Sequence, residues 1–149
     1  MLRSTLRLIT LAALSAAAAP LAAQAATPTE AVQRFFAAAA DTNLKAMGSL
    51  WGTAKGPAAK ENVPADWERR MMVMGTFLVG TTARTLGELD AKDPNTRTVT
   101  TEIARGNCKV TLTVGTVKSS AGWLVNKFDL GQVGNVNRGV CDGGNPVRH

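Results

Sequence analysis

The sequence predicts an α+β domain in which three N-terminal helices pack on a curved four-stranded antiparallel sheet. Three observations lead there. Apolar residues recur at helical spacing between Thr27 and Leu78, the composition shifts to Thr, Val and Gly from Thr81, and Asn107 to Lys118 alternates as a strand. In that last stretch Cys108, Val110, Leu112 and Val114 share one face while Lys109, Thr111 and Thr113 take the other, because successive side chains of a strand point to opposite sides. The helices need such an apolar floor, so this strand is expected to organise the rest of the chain.

Met1 to Ala25 carries Arg3 and Arg7, an apolar run from Leu8 to Ala19, then Pro20 and the small-residue ending Ala23-Gln24-Ala25. This is the pattern of a secretory signal peptide cleaved after Ala25, which implies an exported protein, periplasmic or secreted. An uncleaved anchor is the competing reading. The Leu-rich part stops at Leu14 and Pro20 and Gln24 interrupt the alanines, whereas a spanning helix needs about 20 apolar residues. No later segment is long enough to span a membrane. Removing 25 of the 149 residues leaves 124, and losing Arg3 and Arg7 turns 17 basic against 11 acidic residues into a net charge of +4. That length suits one domain. The charge is scattered, Arg69-Arg70 is the only adjacent basic pair and Tyr is absent, so a nucleic-acid partner is not expected.

Thr27-Pro28-Thr29-Glu30 starts the first helix, with Thr27 as N-cap, Pro28 at the first helical position and Glu30 placed to close a capping box. Val32, Phe35, Phe36 and Ala39 then line one face. Asp41-Thr42-Asn43 breaks it, and a second short helix carries Leu44, Met47, Leu50 and Trp51 along one stripe. Gly52 to Pro57, with two glycines and a proline, is read as a loop. A third helix is expected from about Pro64 to Leu78, with Trp67, Met71, Met74 and Leu78 on its inner face. The run Met71-Met72-Val73-Met74 invites a copper(I) reading, but core packing explains the same spacing, and no metal is assigned.

Strands are expected at Thr82–Leu89, Thr96–Ala104, Cys108–Lys118 and Trp123–Leu130. Their short connections call for an antiparallel meander, since parallel pairing needs long crossovers. Asp90, Asp93 and Asn95 are assigned to turn chemistry, not calcium, because the ligand spacing and distal Glu are missing. In the last strand Leu124, Asn126, Phe128 and Leu130 form the more apolar face, expected toward the helices. Asn126 is then an inward amide that must find partners or line a wet cavity. Cys108 and Cys141 are the only cysteines; in an exported chain they are expected to pair. The bridge would close a loop of roughly 34 residues, worth about 4 kcal/mol in the chain-entropy picture, and tether the Gly/Asn-rich tail 131–149 to a domain spanning 26–130.

Three functions follow. The first is a non-catalytic module holding a small apolar ligand or a protein partner, with Trp51, Trp67, Met71, Met74 and Asn126 as candidate pocket residues. The second is an isomerase, dehydratase or hydrolase that needs a buried acid or base, for which Glu88, Glu102 or Asp129 would have to enter the cavity. The third is an extracellular interaction domain of cystatin-like type, acting through Gly52 to Pro57 or the tail. No cofactor is called for by any motif.

The opening Thr27-Pro28-Thr29-Glu30-Ala31-Val32-Gln33-Arg34-Phe35-Phe36, the break Asp41-Thr42-Asn43 with Leu44 to Met47 and Leu50-Trp51, and the Trp123 to Leu130 strand resemble exported members of the NTF2-like superfamily. The resemblance implies a cone with a pocket between helices and concave sheet, and leaves a homodimer open. It does not carry an active site across. Relatives that are enzymes use an inward Asp or His, whereas the sole histidine here is the terminal His149, Glu88 and Glu102 alternate with Thr and Arg, and Asp129 lies on the expected outer face beside Lys127.

Overall fold

Thr27 caps the first helix as its sequence demands: its hydroxyl accepts the Glu30 amide at 3.1 Å, and Pro28 opens α1 (Pro28–Ala40), where a missing N–H costs no helical hydrogen bond. The structure is a computed structural model and describes residues 24–142. The expected leader, apart from Gln24 and Ala25, and the end of the tail with His149 lie outside the described residues. Glu30 does not reach back to the Thr27 amide. Its Oε2 accepts the Ala26 N–H at 2.7 Å and its Oε1 pairs with Arg34 at 2.5 Å, so the reciprocal half of the box is displaced by one residue.

α2 (Leu44–Leu50) is capped by Asn43, whose Oδ1 accepts the Ala46 amide at 3.1 Å. Trp51 is not on the helical stripe expected for it: it is extended and bridges Val125 in parallel. The stretch read as a loop then forms a small antiparallel ladder, β1 (Gly52–Thr53) with β2 (Gly56–Pro57), followed by the short α3 (Ala58–Glu61). Glycine is what permits it. A Cβ on Gly52 would stand 2.2 Å from the Gly56 carbonyl oxygen. α4 (Trp67–Leu78) begins later than the sequence suggests and buries Met71, Met74, Gly75 and Leu78.

β3 (Thr82–Asp90), β4 (Thr96–Arg105), β5 (Cys108–Ser119) and β6 (Gly122–Lys127) form the expected antiparallel meander in the order β3-β4-β5-β6. Val110, Leu112 and Val114 of β5, with Val99 and Ile103 of β4, meet Val32, Phe35, Phe36 and Ala39 of α1 in one core, while Lys109, Thr111 and Thr113 are exposed. This is the α+β architecture predicted, helices on one face of an antiparallel sheet. Among the described residues no helix is long and apolar enough to cross a membrane.

Two parts differ from expectation. Gly115 pairs with Lys127 but Thr116 pairs with Val125, so Asn126 is an extra residue in β6; such a bulge reverses which side chains face inward. Val125 therefore joins the core beneath the helices, Leu124 is buried opposite Val117 outside that cluster, and Trp123 packs on Ala25 and Ala31. The strand also stops at Lys127 instead of Leu130. Asp129 caps a further helix, α5 (Leu130–Asn137), its Oδ1 accepting the Gly131 amide at 2.8 Å, where only a Gly/Asn-rich tail was anticipated. Val133 and Val136 of α5 are buried, and a Cβ on Gly134 would lie 3.4 Å from the Phe77 ring, so the glycine lets α5 sit close against α4.

The chain leaving α5 returns to the sheet. Cys141 is bonded to Cys108 with the Cα atoms 5.2 Å apart, the Asp142 amide donates to the Lys109 carbonyl at 2.7 Å, and the Thr111 amide donates to Asp142 Oδ2 at 2.6 Å. Arg105 ties the end of β4 to the end of α4, donating to the carbonyls of Phe77 at 3.3 Å and Val79 at 2.6 Å. Replacing both Cys108 and Cys141 by Ser is expected to lower the unfolding free energy by about 4 kcal/mol. Urea unfolding of oxidised parent and variant measures it; equal midpoints and slopes would show that the bridge adds nothing to the contacts of α5.

Candidate functional site

Four aromatic rings from three parts of the chain meet at one end of the sheet. Phe35 and Phe36 come from α1, Trp51 from the end of α2, and Phe128 from the turn after β6; the centroids lie 5.3 Å apart for Phe36–Phe128, 5.6 Å for Phe35–Trp51 and 5.8 Å for Trp51–Phe128. Tilted and edge-on contacts of this kind are favourable beyond the area they bury. Phe35 and Phe36 are wholly buried, whereas Trp51 and Phe128 are half-buried and present ring surface outward. Trp51 can do so because its extended backbone, held against Val125, turns it off the α2 axis.

Beside these two rings lies a cleft of about 320 Å³, walled by Trp51, Phe128, Leu130, Val73 and Met74. Asp66, Arg69 and Arg70 stand at its rim. Asp66 and Arg70 pair at 3.0 Å, an i,i+4 contact between exposed side chains. Its volume is near the lower end for small-molecule sites. A second cavity, about 450 Å³, opens between α1, α2 and the start of β6, with Leu50, Pro57, Trp123 and Leu124 among its apolar walls and Arg34 and Lys45 at its edge.

Of the five pocket residues expected from sequence, Trp51 and Met74 line the first cleft. Met71 is wholly buried in the core. Trp67 is half-buried with its ring against α2; a Cβ on Gly48 would come within 2.2 Å of it. Asn126 lines neither cavity. Its Oδ1 is buried with no hydrogen-bond partner among the described residues, 2.8 Å from where a Gly115 Cβ would stand. Val73, Phe128, Leu130 and the polar rim were not anticipated as a site. Phe128 and Leu130 were marked as inward residues of one strand, and only the turn into α5 brings them to the cleft.

The three carboxylates on which an enzymatic reading depends are engaged elsewhere. Glu102 meets Arg84 at 3.3 Å and Lys109 at 3.4 Å, Glu88 accepts from Thr29 at 3.2 Å and lies 3.8 Å from Arg97, and Asp129 caps α5. None of them lines either cavity. The methionine run is split in the same way, with Met71 and Met74 in the core and Met72 exposed. Asp93 accepts the Asn95 amide at 2.9 Å and Asp90 pairs with Arg97 at 3.1 Å, which is turn and surface chemistry.

These features define an α+β domain, N-terminal helices on a four-stranded antiparallel sheet, with an aromatic-walled apolar cleft at one end. No known family profile and no curated protein sequence matches the chain. Among solved structures it is similar to an NTF2-like protein of unknown function from Cytophaga hutchinsonii ATCC 33406, at 12% identity, over 69% of this chain and 90% of that one, with a TM-score of 0.44.

The position of Trp51 depends on the backbone crossing that follows it. Gly52→Val is expected to destabilise the fold by about 1–3 kcal/mol, since the added atoms collide with backbone and cannot swing away. Thermal unfolding with tryptophan emission as readout checks both consequences; an unchanged midpoint and spectrum would refute the role given to this crossing.

Proposed function

We propose that this chain is an exported, non-catalytic binding module that takes a small apolar ligand in the cleft between α4 and the β6–α5 turn. The observation that carries the reading is the meeting of Trp51, Phe128, Leu130 and Met74 around one cleft, with polar side chains confined to its rim. Aromatic and thioether surface with a few polar groups at the edge suits an apolar ligand, which gains by leaving water and is oriented by the rim. Export is supported by the leader pattern and by the Cys108–Cys141 bridge, since disulfides persist in oxidising compartments.

An enzymatic role is less favoured by the same geometry. A general acid or base must reach the reacting atom, directly or through one water; Glu88, Glu102 and Asp129 are held in surface pairs or a helix cap away from the cleft, and Asp66 at its rim is exposed and paired with Arg70. The loop-mediated interaction reading is also less favoured, because Thr53, Ala54 and Lys55 are the exposed part of the β1–β2 turn and offer no large apolar surface.

A thermal-shift screen with neutral apolar compounds of cleft size tests the reading. A true ligand at 100 times its Kd stabilises the folded state by about 2.7 kcal/mol. Val73→Glu, at a position already 46% exposed, puts a charge on the cleft wall and is expected to remove the shift while leaving the unliganded midpoint near that of the parent. No stabilisation by any compound, or a shift that survives the substitution, would overturn the assignment of this cleft.

A further inference from the structure

Ala25 makes one main-chain contact with the edge of β6, beside the point where Trp51 bridges Val125. Its carbonyl accepts the Trp123 amide proton at 3.0 Å on the outer edge of β6, it is 1% exposed, and its methyl packs with Ala31 of α1 and the Trp123 ring. The neighbouring Gly122, at φ +84°, has no side chain to obstruct the approach: a Cβ there would lie 2.7 Å from the Ala25 carbonyl oxygen and 3.1 Å from Gln24 Cβ. Gln24 and Ala25 also border the 450 Å³ cavity with Leu50, Trp123 and Leu124. On the other side of the same peptide bond, the Ala26 amide donates to Glu30 Oε2 at 2.7 Å.

The bond expected to be cut on export is therefore the one at which this seat ends. Hydrolysis by a leader peptidase adds water across Ala25–Ala26, leaving a carboxylate on the departing Ala25 and an ammonium on Ala26. Glu30 already stands where that ammonium needs a counter-charge. The seat on β6 is left with the Trp123 N–H unpaired and an alanine-sized slot between Ala31 and the Trp123 ring.

We propose that in the processed protein this vacated edge of β6 is a docking site for an extended peptide segment of another protein, one that pairs with the Trp123 amide and places a small side chain in the slot left by Ala25. The occupant's chemistry is read from the residues seated there in the full chain: extended backbone, a methyl-sized side chain at the slot, and a neighbour bordering the apolar cavity. Strand addition of this kind draws affinity from main-chain hydrogen bonds and specificity from the side-chain slots. The inference rests on the leader removal that is part of the proposed function, and is independent of what fills the cleft at Trp51.

The full chain is exported from a bacterial host, the product is recovered, and its intact mass gives its first residue. The peptide Pro-Leu-Ala-Ala-Gln-Ala, the sequence of residues 20–25, is then titrated against it with an amidated end, because a terminal carboxylate would face Glu30. Expected are a product starting at Ala26, a saturable change in tryptophan emission, and slower hydrogen exchange of the Trp123 amide in the complex. Ala31→Val fills the slot from the α1 side and is expected to weaken binding by about tenfold or more. A product that retains Ala25 defeats the leader-removal premise. A product starting at Ala26 that leaves the Trp123 amide unprotected by the peptide, a result needing no variant, overturns the docking site itself, and so does binding that Ala31→Val leaves unchanged.

Discussion

The contact on which the rest depends is the packing of α1 across the inner face of the sheet, where Val99, Ile103, Val110, Leu112 and Val114 supply the apolar floor. α1 presents Val32, Phe35, Phe36 and Ala39 within about two turns, all wholly or almost wholly buried, and among the described residues β5 sets three successive large apolar side chains, Val110, Leu112 and Val114, in the same core. Each buried Val, Leu or Phe side chain contributes about 1.5–3 kcal/mol relative to exposure, so the packing of this helix on the sheet outweighs any single cap or ion pair among the described residues. It also fixes position. Once α1 lies across the sheet, Phe35 and Phe36 fall beside Trp51 and Phe128, and the aromatic end of the domain is set.

A four-stranded sheet has two edges, and the chain treats them differently. The stretch of β5 that β6 does not cover is closed by the tail, through Cys141 on Cys108 and Asp142 on Lys109 and Thr111. At β6, Ala25 and Trp51 both approach the strand. At β3, α1 reaches the strand through Gln33, which donates to Thr85 at 3.1 Å, and Thr29, which donates to Glu88 at 3.2 Å; the register shifts between Thr85 and Gly87, and Leu86 and Leu89 are exposed. A bulge on an edge strand works against pairing with a second chain, and this one falls where apolar side chains would otherwise invite it.

What could be read in the sequence was whatever repeats. The period of α1, the alternation of β5, the Thr27 cap and the short strand connections each signal themselves within a few residues, and the helix-on-meander architecture follows from them. The Cys108–Cys141 pair was legible because only two cysteines exist. The failures share a cause, since each depends on a partner far along the chain. The bulge at Asn126 comes from pairing with Gly115 and Thr116, and nothing in Trp123 to Leu130 marks it. α5 contains Gly131, Gly134, Asn135 and Asn137, residues of poor helix propensity; it is helical because Asp129 caps it, Val133 and Val136 reach the core and the disulfide holds its exit.

The site was half legible for the same reason. Met74 is found by helical spacing, and Trp51 by its size and place at the end of a helix, yet neither signal says that α4 and the end of β6 converge. Phe128 and Leu130 sit two residues apart and would project to one side of a straight strand. Instead β6 gains a residue at Asn126, ends at Lys127, and gives way at Asp129 to α5. The cleft lies beside α4 where three regular elements begin or end, α2 at Leu50, β6 at Lys127 and α5 at Leu130. Ends are where a chain is free to leave ring surface incompletely covered, because continuing any of the three elements would fill the space with its next turn or pair. The apolar surface at Trp51 and Phe128 is thus a product of termination, not of the periodicities that build the fold, while Phe35 and Phe36 of the core hold both rings from beneath.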